Sequence, residues 1–448
     1  MESLWRKQGR EKQEFPKKEE LTEKRSHWDV IIVGAGMAGI LTAYYLSKQG
    51  KSVLVLEAGK IASGQTENTT AKITSQHGLK YDSLIRKLGK ERAKLYAQAN
   101  EEAIAEYNKL IQELNISCKF EKADAYLYTC KNERILEKEM KAATELGIEA
   151  IFAKNTELPF EVAATVGFKN QAQFSPLEFI NVVIRDLNIL EDSMVTEIKG
   201  NWVISRHGIM TAENIVIATH YPIKNVPGFY FFRQHQERSY VIALSRCTPI
   251  KNMYYGIDDD GLSFRQVDDM LVVSGMSHRT GKRQKCCEDR YKMLFDRVKK
   301  LYPNCKMEAY WSAQDCMPHD GIPFIGKYSL FTSNLYVASG FQKWGMTTAM
   351  IAAKILSDQI CGKENPYQKL FSPQRFFLRA GMGNFLIDAG ESIINLFLGV
   401  FSKRKCSHLG CRLEWNSTEQ SWDCPCHGSR FDNDGKILDN PAQKNIKN

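Results

Sequence analysis

The chain has 448 residues, of which 43% are hydrophobic and 25% charged, so it can bury a sizeable core and form two or three domains. Its formal net charge of +9 is spread along the chain without a block of Lys and Arg, which argues against a nucleic-acid partner. Residues 1–28 form a charged N-terminal extension that lacks the apolar core of a signal peptide, so we expect a cytoplasmic protein.

The first apolar segment predicts a β-α-β unit. Residues 29–33 form a β-branched run that ends at Gly34, a helical pattern covers Met37–Gln49, and a second apolar run, Ser52–Leu56, ends at Glu57. A unit of this length and order is typical of the opening of a doubly wound sheet.

The turn of this unit carries the motif G-x-G-x-x-G as Gly34, Gly36 and Gly39. Gly34 permits the tight turn, Gly36 lets the backbone approach a pyrophosphate, and Gly39 allows the helix to pack closely on the strand. The helix N-terminus supplies amide donors to the anion, and Glu57 can accept hydrogen bonds from an adenosine ribose. The motif predicts a dinucleotide site, but it does not distinguish FAD from NAD.

The middle of the chain predicts a mixed α+β domain. Charged helical patterns cover Tyr81–Leu114, and strand-like runs follow at Ala125–Thr129, Met194–Ile198, Trp202–Ser205 and Asn214–Ala218.

A second strand-turn-helix pattern lies further along the chain. Leu335–Ala338 leads into the glycines of SGFQKWG, and a helical pattern covers Thr347–Ile360. Residues 374–401 then alternate apolar and polar positions at helical spacing, which predicts an amphipathic helix that packs on the body of the protein as a linker. Polar residues recur throughout it, so we expect no transmembrane span and no stable membrane insertion.

The cysteines divide into a scattered set and a cluster. Eight of the 12 lie without a pairing pattern and are expected to be thiols. Two Cys and two His in short loops suit either zinc or a Rieske-type 2Fe-2S cluster, and the spacing favours the cluster. The clustered residues form the motifs C-x-H-x-x-C and C-x-C-H: Cys406, His408, Cys411, Cys424, Cys426 and His427.

Three further segments decide the nature of the dinucleotide: ASGQTENTTAKITSQHG (62–78), NIVIATHYP (214–222) and DGIPFIGKYSLFTSNLYVASGFQKWGMTTAMIAAKIL (320–356). With them the chain resembles the D-amino-acid-oxidase-like, or glycine-oxidase-like, FAD-dependent oxidoreductases over residues 29–372. The resemblance implies that FAD accepts a hydride from an amine or amino-acid substrate. It also implies further residues in contact with FAD: Thr69, Thr70, Val195, Thr219, Gly340, Trp344, Gly345, Met346 and Thr347.

The segments CSHLGC and CPCHGS closely resemble the Rieske proteins of respiratory and photosynthetic cytochrome complexes. Neutral imidazole ligands lower the negative charge on such a cluster and raise its potential. The resemblance implies a complete assignment of the clustered residues, with Cys406, His408, Cys424 and His427 as ligands and a disulfide between Cys411 and Cys426.

The Rieske-like segment is short. Only 43 residues run from Cys406 to Asn448, so the strands that normally precede the first ligand loop are either missing or replaced by other parts of the chain. Ser429 resembles a serine that hydrogen-bonds a bridging sulfide and thereby raises the potential.

We therefore expect an α/β fold with a doubly wound, glutathione-reductase-like Rossmann domain for FAD, an α+β substrate domain and a small, shortened all-β Rieske segment. The expected divisions follow the motifs along the chain: residues 1–28 for the N-terminal extension; 29–80, 172–223 and 317–372 for the FAD-binding domain; 81–171 and 224–316 for the substrate domain; 373–402 for the amphipathic linker helix; and 403–448 for the Rieske-type 2Fe-2S segment.

The chain resembles a bacterial group of flavoproteins with a C-terminal Rieske domain. In this group an amine or amino acid would give two electrons to FAD, which would pass them singly through the cluster to an unknown acceptor. Ser175 stands where the group usually has histidine. Relatives that react with oxygen carry a lysine near the flavin, whereas the corresponding stretch DGLSFRQ has Ser263 and Arg265, which favours a dehydrogenase over an oxidase.

The sequence leaves the catalytic residues unassigned. The candidates are Lys72, His77 and His278, with His220 as a further loop histidine. Two other interpretations stay open. In one, the protein exchanges electrons with a partner protein and has no small-molecule substrate. In the other, the C-terminal segment is degenerate or binds zinc, and the FAD part works alone.

Overall fold

The computed structural model describes residues 2–9, 26–259, 261–282, 289–375 and 394–446. Within them the strands form three sheets. The first sheet contains β1 (His27–Val33), β2 (Val53–Leu56), β7 (Asn188–Leu190), β8 (Val195–Lys199), β9 (Trp202–Ser205), β10 (Gly208–Ile217), β16 (Phe324–Lys327) and β17 (Leu335–Ser339). Its order is β16-β17-β10-β1-β2-β7, with β9 beside β10 and β8 beside β9.

The first sheet is parallel at its centre, as the sequence predicts. β1 lies between β2 and β10 and runs parallel to both. Along β1, Val30 and Ile32 belong to one hydrophobic core and Ile31 and Val33 to another. Both faces of the sheet are therefore buried, which explains the unbroken apolar run in the sequence.

The second sheet contains most of the strands from the two ranges expected for the substrate domain. Its order is β15-β11-β14-β13-β12-β4-β6-β3, with β5 beside β6. The strands within the described ranges are β3 (Lys72–Ile73), β4 (Glu121–Thr129), β5 (Ala150–Ala153), β6 (Ala164–Gln173), β11 (Gln234–Ser245), β12 (Met253–Gly256), β13 (Ser263–Val267), β14 (Met270–Arg279) and β15 (Lys306–Pro318).

The third sheet belongs to the C-terminal segment and is antiparallel. It forms after the first ligand loop and frames the second one, which lies between its second and third strands. The strands follow one another in chain order: β18 (Glu414–Asn416), β19 (Ser421–Asp423), β20 (Arg430–Phe431) and β21 (Ile437–Asp439).

The helices cover the first two sheets. The long stretch predicted as helical divides into two helices at Gly89, whose φ is 83°. The helices of the described residues are α1 (Leu4–Gly9), α2 (Met37–Lys48), α3 (Tyr81–Leu88), α4 (Lys90–Glu113), α5 (Glu133–Glu145), α6 (Pro176–Val183), α7 (Arg290–Leu301), α8 (Gly345–Ile360), α9 (Gln368–Phe371) and α10 (394–400).

Two packing contacts of the N-terminal part of the chain were not predicted from the sequence. β3, from the range 29–80 assigned to the FAD-binding domain, pairs with β6 of the second sheet. The N-terminal extension docks on the body through α1, where Trp5 is buried and donates from Nε1 to the carbonyl of Thr69 at 2.8 Å. Composition shows the charge of the extension but not this apolar anchor.

Part of the predicted linker helix falls on residues 376–393, which lie outside the described residues. Its last part is helical, as α10. In the portion of the chain that the structure covers, no helix has the length and hydrophobicity that crossing a membrane requires.

Candidate functional site

A cavity of about 770 Å³ has residues of all three sheets in its walls. This volume lies within the range of small-molecule and cofactor sites, roughly 300–1,000 Å³. One end of the cavity is formed by the glycine turn after β1 and by Glu57 after β2. It therefore lies beyond the carboxyl ends of parallel strands, where open α/β sheets bind their ligands.

The glycine turn has the geometry of a phosphate cradle. Gly34 has φ +108°, and a Cβ there would lie 2.6 Å from the carbonyl oxygen of Ala218. A Cβ on Gly39 would lie 1.9 Å from the carbonyl oxygen of Gly34, so this glycine serves packing. α2 begins after Gly36, the amide of Met37 in its first turn donates to Oγ1 of Thr66 at 3.0 Å, and this turn lines the cavity. The turn fits the pyrophosphate of a dinucleotide.

Glu57 holds this turn in place. Its Oε2 accepts from the amide of Ala35 at 2.8 Å and its Oε1 from the amide of Gly59 at 2.9 Å. Burial raises the pKa of Glu57, while these amide donors act in the opposite direction. The carboxylate also lines the cavity, so it is positioned for the predicted contact with a ribose.

Most of the residues predicted to contact the cofactor line the cavity. Gly39, Gly340 and Thr347 do not. A Cβ on Gly340 would lie 2.5 Å from Cγ of Pro318, and Thr347 donates from Oγ1 to the carbonyl of Thr74 at 3.2 Å. The predicted residues in the cavity wall are Gly34, Gly36, Glu57, Thr69, Thr70, Val195, Thr219, Trp344, Gly345 and Met346.

Lys72 brings a buried amine to the wall of the cavity. Its Nζ donates to Oγ of Ser263 at 2.6 Å and to the carbonyl of Tyr254 at 3.0 Å. Burial and, to a smaller degree, the charge of Arg265 lower the pKa of Lys72 to about 7. Nη1 of Arg265 donates to the carbonyl of Thr70 at 2.6 Å, which holds its guanidinium against the loop before β3.

A second polar group in the wall joins Lys343 to two carboxylates. Its Nζ lies 3.4 Å from Asp315, 3.5 Å from Glu237 and 2.9 Å from Oγ of Ser239. Burial raises the pKa of Asp315 to about 6 although Lys343 opposes the change. The two carboxylates keep Lys343 protonated in spite of its burial, because they raise its pKa.

The three candidate histidines have different surroundings. The ring of His77 stacks on Trp344 at 4.7 Å, behind the cavity wall. His278 stacks on Tyr240 at 5.8 Å and does not line the cavity, whereas His220 does. Burial lowers the pKa of all three, to about 4 for His220 and His278, so they are neutral at neutral pH.

The predicted cluster ligands converge from two loops. The rings of His408 and His427 are 5.0 Å apart and perpendicular, and the thiols of Cys406 and Cys424 hydrogen-bond to each other. Nε2 of His408 lies 2.7 Å from Oδ1 of Asn225, while its Nδ1 is buried without a hydrogen-bond partner. A buried ring nitrogen without a partner fits a metal ligand.

Proximity alone would select a different set of ligands. The ligand atoms of Cys411, Cys424, Cys426 and His427 all lie within 4.8 Å of one another. Cys411 and Cys426 are free thiols in the structure and hydrogen-bond to each other. Their closeness is compatible with the disulfide that the Rieske resemblance implies, which stays a prediction together with the ligand set.

The Rieske segment is anchored on β11 and β15 by a buried ionic network. Nη2 of Arg238 donates to Oε1 of Glu419 at 2.7 Å, and a second bond joins Nε to Oε2. Oγ of Ser312 donates to the same carboxylate at 2.5 Å. Arg430 continues the network, with Nε 3.0 Å from Asp423. Buried ion pairs of this kind fix one relative orientation of the elements that they join.

The body of the protein covers the ligand loops. Nε2 of Gln236 donates to the carbonyl of His427 at 2.7 Å, and a Cβ on Gly281 would lie 2.4 Å from the nitrogen of Pro425. Residues of the segment 436–445 reach the cavity wall, where Nδ2 of Asn440 donates to the carbonyl of Tyr221 at 2.9 Å. Other parts of the chain therefore replace the strands that the short segment lacks.

Comparison with known proteins identifies the class. Residues 29–359 match the family described as FAD dependent oxidoreductase, and residues 399–448 match the Rieske [2Fe-2S] domain. The chain therefore belongs to the FAD dependent oxidoreductases and carries a C-terminal Rieske domain. It binds FAD and a 2Fe-2S cluster, which confirms the cofactors predicted from the sequence.

Among individual proteins, the chain is similar to the putative Rieske 2Fe-2S iron-sulfur protein YhfW of Bacillus subtilis (strain 168), with 35% identity over 97% of this chain and 94% of the relative. Its fold is similar to glycine oxidase from Geobacillus kaustophilus (TM-score 0.68, 17% identity, 78% of this chain and 99% of the other). It is also similar to L-proline dehydrogenase from P. horikoshii (TM-score 0.65, 16% identity, 79% and 98%).

Sequence reasoning missed several residues of the cavity. Lys343 lies inside the recognised GFQKWG motif, but the motif does not indicate its carboxylate partners. Asp315 in the cavity wall comes from β15, its neighbour Glu237 comes from β11, and the segment 436–445 comes from the other end of the chain. These contacts depend on long-range packing, for which a single sequence carries no local signal.

Proposed function

We propose that the protein oxidises an amine or amino acid at FAD and passes the electrons singly through its Rieske cluster to an acceptor. One observation carries the proposal. The wall of the cavity that begins at the glycine turn is completed by residues 436–445 of the Rieske segment. A segment that helps to enclose the flavin site is suited to take electrons from it.

A path of amide hydrogen bonds runs from the second ligand loop to the cavity. From the carbonyl of His427 it runs to Nε2 of Gln236 at 2.7 Å, and Oε1 of Gln236 accepts from Nε2 of Gln314 at 2.9 Å. The backbone N–H of Gln314 donates to Oε1 of Gln65 at 2.7 Å, and Gln65 lines the cavity. The path gives short hydrogen-bonded contacts between a ligand loop and the cavity, which supports electron transfer within one molecule.

The polar wall suits a substrate with an amine and a carboxylate. Lys343 can hold a carboxylate, Asp315 can hold an ammonium group, and Lys72 can take up a proton near neutral pH. When bound, FAD supplies the acceptor for the hydride of the amine-bearing carbon, and the cluster carries single electrons onward. The names of the similar structures, glycine oxidase and L-proline dehydrogenase, denote amino-acid substrates and support this class.

We favour a dehydrogenase over an oxidase because the docked cluster offers the electrons a route other than oxygen. The sequence argument for the same choice is weak. Although Ser263 stands where oxygen-reactive relatives have a lysine, Lys72 brings an amine within 2.6 Å of its hydroxyl. Absence of a lysine from β13 therefore does not mean absence of an amine from this part of the site.

Anaerobic incubation of the purified holoprotein with a panel of amino acids and amines tests the proposal. A substrate should bleach the flavin, produce the electron paramagnetic resonance signal of a reduced Rieske cluster, and sustain reduction of a one-electron dye. In a Cys406→Ser variant the flavin should still bleach, but dye reduction should fall sharply. If a reduced carrier protein bleaches the flavin and no amine does, the protein exchanges electrons with a partner protein and has no small-molecule substrate. If the protein contains FAD but neither iron nor sulfide, the C-terminal segment is degenerate or binds zinc.

A further inference from the structure

The surface of α10 beside the first ligand loop is apolar and exposed. Its side chains at i, i+3, i+4, i+6 and i+7 occupy one side of the helix and its end. We call this set the apolar face, and it consists of Ile394 (60% exposed), Phe397 (65%), Leu398 (40%), Val400 (65%) and Phe401 (76%).

The opposite side of α10 is fixed to the Rieske segment. The carbonyl of Asn395 accepts from the amide of Arg412 at 3.1 Å. A Cβ on Gly399 would lie 2.1 Å from the carbonyl oxygen of Gly410, so the backbones approach closely. The described part of the helix is thus held with its apolar face outward.

Three basic residues, Lys403, Arg404 and Lys405, directly follow the apolar face. Lys403 and Lys405 are exposed. The chain contains no acidic residue from Ile394 to Leu413, although Arg412 pairs with Glu414 at 2.9 Å and Nζ of Lys405 donates to the carbonyl of Val400 at 3.0 Å. A second copy of the chain would present the same three basic residues, which disfavours pairing of two apolar faces. An apolar helix face beside basic residues matches the interface of an anionic membrane.

We propose that the apolar face and Lys403–Lys405 dock the protein on the surface of a membrane that contains anionic phospholipid. The apolar side chains would enter the boundary between headgroups and acyl chains, and the lysines would contact phosphate. The described part of the helix, residues 394–400, is shorter than a bilayer requires, and the attachment that we propose is peripheral and reversible. Since α10 packs on the first ligand loop, docking would hold the Rieske segment at the membrane surface.

Co-sedimentation of the holoprotein with phosphatidylcholine vesicles, with and without phosphatidylglycerol, tests the proposal. We expect binding to the anionic vesicles that weakens as salt is raised. A Phe397→Glu, Phe401→Glu variant should lose roughly tenfold or more in partition coefficient because it places charge in the inserted face. A Lys403→Gln, Lys405→Gln variant should lose roughly tenfold because each basic residue adds to attraction by an anionic surface.

The matched control is an Ile135→Glu, Ile151→Glu variant. Both isoleucines are exposed, at 39% and 38%. Ile151 lies on β5 and Ile135 on α5, which contacts β5 and β6, so both are near the opposite edge of the second sheet from β11 and β15. This variant should bind vesicles as the wild type does, and every variant should keep its flavin and cluster absorption. Lack of wild-type binding to anionic vesicles, or equal binding by the Phe397, Phe401 variant, would overturn the proposal. The proposal would also be overturned if the wild type were a dimer that bound no vesicles and the Phe397, Phe401 variant were a monomer.

Discussion

Replacing Glu419 by glutamine should weaken the attachment of the Rieske segment to the rest of the protein. The carboxylate is buried between the guanidinium groups of Arg238 and Arg430, and it accepts a further bond from Ser312. The amide has the same shape but no charge, and it turns a donor toward arginines that have only donors to offer. Glu419→Gln therefore leaves buried positive charge without compensation and should weaken the docking.

The size of the effect follows from the pKa of Glu419. Burial alone would raise it, but Arg238 and Arg430 lower it from the ordinary value of 4.5 to about 2. This difference corresponds to about 3 kcal/mol of favourable interaction with the carboxylate. Breaking a buried pair costs about 3–5 kcal/mol in other proteins, which agrees. The contribution is present above the ordinary carboxyl pKa and is lost as the pH falls toward 2.

Urea titration of the holoprotein, followed by the visible circular dichroism of the cluster, measures this contribution. With a slope of roughly 1–3 kcal/mol per molar urea, the midpoint should fall by about 1–3 M. Glu414→Gln is the control, since Glu414 forms a partly exposed pair with Arg412 at 2.9 Å whose loss should cost less than about 1 kcal/mol. Equal midpoints for the two variants would refute the reasoning.

Three other predictions concern the cavity. Gln236→Leu removes the side-chain amide between the His427 carbonyl and the flavin site. Stopped-flow spectroscopy should show slower reduction of the cluster and unchanged reduction of the flavin. Equal slowing of both steps would contradict this prediction. Burial lowers the pKa of Lys72 to about 7, so its amine gains a proton as the pH falls through 7. The flavin absorption should therefore change near pH 7 in the wild type and not in Lys72→Met. If the change persists in the variant, another group titrates. Gly34→Ala forces a Cβ to within 2.6 Å of the Ala218 carbonyl oxygen and should purify largely without FAD, whereas Gly50→Ala, at a similarly positive φ with open space around it, should retain FAD in absorption spectra.

The sequence was most informative where function depends on local geometry. The unit from β1 to β2 could be predicted because its hydrophobic periods, its glycines and Glu57 are consecutive in the chain. The two ligand loops could be predicted for the same reason, since the spacing of Cys406, His408, Cys424 and His427 is itself the signal. Each of these features is set by fewer than about thirty consecutive residues, the length of a single supersecondary unit.

The assembly of the parts could not be predicted in the same way. Arg238 and Glu419 are 181 positions apart, and each is an ordinary charged residue in its own neighbourhood. Strand β3 has two residues, too few for a periodic pattern, so its membership of the second sheet is decided by pairing with β6. The exposure of α10 was also hidden, because an amphipathic pattern is the same whether its apolar face is covered or not.

The central claim is that electrons pass from the flavin to the cluster within one molecule. Laser-flash photoreduction of the flavin under argon, with absorption and rapid-freeze electron paramagnetic resonance as readouts, tests it without knowledge of the substrate. The account predicts that flavin reoxidation and cluster reduction proceed at one shared rate that does not change when the protein is diluted. A cluster that stays oxidised, or a rate that falls in proportion to protein concentration, would contradict it.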